Sequence, residues 1–100
     1  MTPEGKVKAK VNKMLAKYES EVYRFMPVQM GMGAPSLDYL ICAGGRFVAV
    51  ETKVPGKKLT PRQEQTAHAM ECAGARVVVV RDDAGVAFLE AILDKFVGWK

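Results

Sequence analysis

Two β-type segments, Leu37 to Cys42 and Phe47 to Lys53, are separated only by Ala43-Gly44-Gly45-Arg46. Adjacent glycines supply the positive-φ geometry of a tight turn, so the two strands are expected to be antiparallel neighbours. With the turn centred between Gly44 and Gly45, paired residues carry numbers that sum to 89, and Asp38 lies opposite Glu51. Opposed side chains on one face are about 4.5 to 5.5 Å apart, a spacing at which two carboxylates weaken a sheet unless a cation lies between them. Lys53 projects from the same face as Glu51, two residues further on. A Glu and a Lys alternating along a strand commonly mark a solvated face. Here the companions of Glu51 on its face are Phe47 and Ala49, and Val48, Val50 and Thr52 occupy the other, so neither face has a solvated pattern. Register decides the matter: a shift of one residue would pair Asp38 with Val50 or Thr52 and send it to the opposite face.

The rest of the chain supplies the elements around this hairpin. Thr2-Pro3-Glu4 combines an N-cap, a first-turn proline and an acid at the positive end of a helix dipole. Val7, Val11, Met14, Leu15 and Tyr18 recur at helical spacing, which predicts a helix from Pro3 to about Tyr18. Lys6, Lys10, Lys13 and Lys17 fall on a second stripe, read as a phosphate-facing edge rather than an ordinary solvated face. Glu4 falls in line with Val11 and Leu15, where an acid requires a partner or a metal. Val22 to Met30 reads as a strand that Pro27 restricts to an edge or a bulge, followed by a loop from Met30 to Ser36. Thr60-Pro61-Arg62-Gln63 opens a second helix with a capping box, and that helix is expected to end at Gly74. Val77 to Val80 is β-branched throughout, which predicts a strand covered on both faces and lying inside the sheet. Asp82 to Gly85 reads as a turn, and Val86, Leu89, Ile92, Leu93 and Phe96 mark a final amphipathic helix. The expected fold class is α/β, a mixed β-sheet flanked by helices in the order α-β-β-β-α-β-α. The helix before the last strand makes a parallel crossover beside an antiparallel meander.

At 100 residues, 49% hydrophobic and 26% charged, the chain fits one small folded domain. Fifteen Lys and Arg against 11 Asp and Glu give a net charge of +4, which leans toward a polyanionic partner. Cys42 and Cys72 have no zinc-finger spacing and read as reduced, partly buried thiols. No segment has the length of a membrane span or the apolar core of a signal peptide, so no membrane partner and a cytoplasmic location are expected.

Carboxylates without accompanying His or Cys suit Mg²⁺ or Mn²⁺ better than zinc. Such an ion lowers the pKa of a bound water beside a phosphate, while the Lys53 ammonium orients that water or neutralises developing charge. Hydrolysis of a phosphodiester is the reaction implied.

Asp38 followed by Glu51-Thr52-Lys53, in this element order, resembles the PD-(D/E)XK nuclease superfamily. Gly33-Ala-Pro-Ser-Leu-Asp38, Gly45-Arg-Phe47, Val50-Glu-Thr-Lys53, Pro55-Gly56, Leu59-Thr-Pro-Arg-Gln63 and Gly74-Ala-Arg-Val77, with the Glu4-Gly5 helix, resemble the virus-type replication-repair nuclease (VRR-NUC) domain over most of the chain. The resemblance implies a restriction-endonuclease-like core and one nuclease domain spanning residues 1–100. It implies Asp38 and Glu51 as metal ligands, the Thr52 main-chain carbonyl as another, and Lys53 as base or electrostatic stabiliser. Gln63 would assist the site, a role that stands beside its place in the capping box. Glu4 would match the acid of the family's first helix. One departure is Leu37 before Asp38, with Pro35 three positions ahead of the acid, in place of an adjacent Pro-Asp.

Members of the family include stand-alone phage modules, for which the location would be the host cytoplasm, and domains of repair enzymes. Some resemble Holliday-junction resolvases, for which a homodimer cutting branched DNA makes geometric sense. The first reading is therefore a Mg²⁺- or Mn²⁺-dependent DNA endonuclease. A second is a non-catalytic module holding nucleic acid through the lysine stripe, Arg46, Lys57, Lys58 and Arg62. A third is a structural subunit whose Met26, Met30 and Met32 serve assembly. His68 reads as a surface position, and Trp99 as a dimer contact or a cover for the last helix.

Overall fold

The computed structural model describes residues 1–28 and 35–98. Its elements are α1 (Pro3–Leu15), β1 (Val22–Phe25), β2 (Tyr39–Ala43), β3 (Arg46–Thr52), α2 (Pro61–Cys72), β4 (Arg76–Val80) and α3 (Asp83–Val97), the order expected from the sequence. The expected strand residues Met30 and Gln29, the methionine-rich loop as far as Ala34, and Trp99 lie outside the described residues.

The strands form one sheet in the order β1-β2-β3-β4, antiparallel through β3, with β3 and β4 parallel. The β2–β3 register runs from Tyr39 opposite Val50 to Ala43 opposite Arg46, the register counted from the glycine turn. Alternation along these strands sorts the side chains between two layers. Tyr39, Ile41, Val48, Val50, Val78 and Val80 pack with Val7, Val11, Met14 and Leu15 of α1 and with Leu89, Ile92 and Leu93 of α3. Leu37 and Ala49 pack on the opposite side with Ala67 of α2, flanked by Leu40, Met70 and Val77. This second layer is thin, because α2 buries Ala67 alone.

Five details differ from the sequence reading. β1 stops at Phe25, before Met26 and Pro27, instead of running on toward Met30. β4 lies at an edge, hydrogen-bonded to β3 alone. Its valines are apolar because helices cover both of its faces, Val78 and Val80 meeting the larger core and Val77 the smaller. α1 ends at Leu15, although Tyr18 still reaches the core through the following turn. Asp82 caps α3 by accepting the Gly85 N–H at 2.9 Å, so the residues read as a turn are that helix's first turn. Both cysteines are exposed: Cys42 lies beyond the cover of α2, and Cys72, at the end of that helix, meets the exposed His68 at 3.5 Å.

Candidate functional site

Asp38 stands one residue before β2, at the open end of the hairpin, and Glu51 stands near the end of β3. The Asp38 N–H donates to Glu51 Oε1 at 3.2 Å, which places the two acids side by side. Asp38 Oδ2 accepts from the Thr52 N–H at 2.9 Å and from its hydroxyl at 2.7 Å. Those bonds fix the Asp38 carboxylate across the end of β3 and leave Oδ1 directed elsewhere. Glu51 is only 4% exposed. Burial, with the Asp38 charge second, pushes its carboxyl from the ordinary 4.5 up to about 7, against the opposing Asp38 N–H and Lys53.

Gln63 resolves into two roles held by one geometry. Its Oε1 accepts the Thr60 N–H at 3.0 Å while its own N–H donates to Thr60 Oγ1 at 3.2 Å, completing the capping box of α2. Its Nε2 donates to Glu51 Oε2 at 2.9 Å. The start of α2 thereby holds the buried acid.

α1 approaches from the other side of the hairpin end. Tyr39, fully buried beside Asp38, donates to Asn12 Oδ1 at 2.8 Å and to the Lys8 carbonyl at 3.3 Å. Burial and the neighbouring Asp38 charge push its hydroxyl up to about 12, so it stays a donor. Glu4 is not enclosed as its phase suggested: its side chain is 44% exposed at the rim, where it still raises the Glu51 carboxyl. Its partner is Lys8, whose ammonium lies 3.5 Å from Glu4 and 3.8 Å from Asp38 Oδ1. Lys8 was missed because it falls outside the lysine stripe. The signal was present in its i,i+4 spacing from Glu4, a pairing that helices favour.

Lys53 is half-buried, tied to β4 by its N–H donating to the Val80 carbonyl at 3.0 Å, and lines a groove of about 370 Å³ with Glu4 and Lys57. Two of the four lysines of the stripe are paired with α3. Lys10 pairs with Asp83 at 2.8 Å and Lys17 with Glu90, leaving Lys6 and Lys13 exposed. Lys58 and Arg62 are also exposed, whereas Arg46 sits at the far end of β3 from Glu51.

Among the described residues no three acids, histidines or cysteines form a ready-made metal cage. The donor chemistry nevertheless fits a hard divalent cation. Two carboxylates are forced together and one of them is nearly sealed from water, so that burial first and the Asp38 charge second hold the Glu51 carboxyl above its ordinary range.

No family model and no curated protein matches the sequence. A solved structure titled "VRR_NUC domain" is similar in three dimensions, with a TM-score of 0.74 and 23% identity, covering 89% of this chain and 95% of that one. The likeness therefore lives in the arrangement of the elements: this chain has the fold of a VRR_NUC domain.

Proposed function

We propose that the protein is a metal-dependent endonuclease that hydrolyses phosphodiester bonds in DNA. The supporting observation is the Asp38–Glu51 pair at the open end of the hairpin, with Lys53 beyond it, in a fold similar to a nuclease domain. Asp38, Glu51, Glu4 and the Thr52 main-chain carbonyl are the groups that would hold Mg²⁺ or Mn²⁺. When bound, such an ion supplies Lewis acidity and a water of lowered pKa.

The protein's own residues do the remaining work. Gln63 holds the Glu51 carboxylate, and Thr52 holds that of Asp38. The Lys53 ammonium orients the attacking water or offsets charge gathering on the phosphate. Lys6, Lys13, Lys57, Lys58 and Arg62 offer sequence-independent contacts to the strand. Branched DNA and a symmetric dimer belong to the same reading, because paired cuts at a junction require two related sites. A binding-only module is less favoured, since Lys10 and Lys17 are already paired with acids of α3.

The test incubates the purified protein with linear, flapped and four-way-junction DNA in Mg²⁺, Mn²⁺ or EDTA. Cleavage should require the divalent ion and fall by about a hundredfold or more in Glu51→Gln and in Lys53→Ala. Cleavage that survives EDTA, or none on any substrate with either ion, would overturn the reading.

A further inference from the structure

The end of the sheet opposite Asp38 and Glu51 carries a second constellation. Arg46 begins β3, Arg76 begins β4, and Lys95 lies in the last turn of α3. With Gly44, Gly74 and Phe96 they line a cavity of about 550 Å³, and among the described residues its wall contains no carboxylate. Among the described residues none of the three cations is held in an ion pair or a side-chain hydrogen bond.

Two of them are nevertheless positioned. The Arg46 guanidinium lies 5.0 Å from the centroid of the Phe96 ring, and that of Arg76 lies 5.8 Å from the centroid of Phe88. Stacking of this kind orients a guanidinium while leaving its in-plane N–H donors free. The Gly44 turn is pressed onto the end of α3, since a Cβ there would fall 1.8 Å from the Phe96 carbonyl oxygen. That contact fixes the relation between Arg46 and Phe96.

A simpler explanation is that the cations offset the C-terminal ends of α2 and α3, which both finish here. Each helix end carries roughly half a negative charge, so the two supply about one against three full positive charges. The ends are also capped by backbone, Ala75 N–H reaching the Met70 carbonyl at 2.9 Å and Gly98 N–H the Lys95 carbonyl at 3.3 Å. Among the described residues a surplus of about two positive charges remains, with oriented donors and room for a ligand.

We propose that Arg46, Arg76 and Lys95 form a binding site for a phosphate group, separate from the acidic site. Glu51 lies five steps along β3 from Arg46, roughly 17 Å at 3.3 Å per residue. The phosphate is either a backbone phosphate of a nucleic acid or that of a free nucleotide or inorganic phosphate. All present the same oxygens to the two forks and the ammonium.

The experiment titrates the ¹⁵N-labelled, metal-free protein with inorganic phosphate and follows its amide spectrum. Shifts should saturate at Gly44, Arg46, Ala75 and Arg76 and spare Asp38 and Thr52. Binding should weaken about tenfold or more in the Arg46→Gln/Arg76→Gln double variant. Lys95→Gln, which leaves both stacked pairs intact, should weaken it by a smaller factor, and dispersed spectra confirm that each variant folds. Duplex DNA binding measured against salt distinguishes the sources. A slope of log K on log salt reduced by about 0.9 for each lost contact identifies a backbone phosphate. An unchanged slope with phosphate shifts intact assigns the site to small phosphates. Absence of saturable shifts at these amides, or equal phosphate affinity in both variants and wild type, overturns the proposal. None of these readouts requires cleavage, so the result is independent of the nuclease reading.

Discussion

Glu51 is a carboxylate nearly closed to water beside a second one. A carboxyl raised from 4.5 to about 7 by folding takes up protons as the chain folds. Stability of the metal-free protein therefore falls as pH rises through that interval, and below it the penalty is absent. Thermal unfolding of the metal-free protein between pH 4.5 and 7 should show this decline, and Glu51→Gln should flatten it. An equally steep decline in Glu51→Gln would assign it to other groups. Protection by Mg²⁺ should grow over the same range, because the ion and the proton compete for one carboxylate. The opposition of Asp38 and Glu51 was readable from two glycines and a parity count, since side-chain direction in a hairpin follows from register. The Lys8 pairing with Glu4 was readable from its i,i+4 spacing, but its approach to Asp38 was not, because that depends on how α1 docks against the hairpin end.

Among the elements, α2 carries the sharpest consequence, for its first turn both starts a helix and holds the buried acid. Thr60→Ala and Gln63→Ala each remove half of the capping box and should each cost about 1 kcal/mol of stability through the cap. Only Gln63→Ala also removes the donor on Glu51 Oε2. A loss of stability by denaturant titration in both variants, larger in Gln63→Ala because the buried Glu51 also loses its donor, with a drop in Mg²⁺-dependent cleavage confined to Gln63→Ala, is the expected outcome. Equal activity in the two variants would leave Gln63 a cap and nothing more. The capping box was legible as a motif, whereas the reach of its glutamine to β3 depends on the angle at which α2 crosses the thin second layer. The start of α3 was misread for a related reason: Asp82 and Asp83 suit a turn and an N-cap equally, and the Gly85 N–H decides between them. The valines of β4 announced cover on both faces, but helices can supply that cover at a sheet edge as well as at its centre.

At the scale of the whole molecule, strands adjacent in sequence are adjacent in the sheet as far as β3, and one crossover through α2 adds β4. That simplicity is why the architecture could be read from pattern alone, while the ion pairs that Lys10 of α1 and Lys17 of the turn after it make with α3 could not. The rung that electrostatics opposes is also the one farthest from the Gly44-Gly45 turn, and its closure relies on side chains. Thr52 N–H is bonded to the Asp38 carboxylate. Such a rung can open without the core following, so the protein should breathe at its acids. In amide hydrogen exchange Thr52 and Asp38 should exchange sooner than Val48 and Val50, and Mg²⁺ should slow the first pair and leave the second unchanged. Uniform exchange along β3 would contradict this. Where it holds, a divalent ion bound there would serve as the latch of the hairpin as well as a reagent.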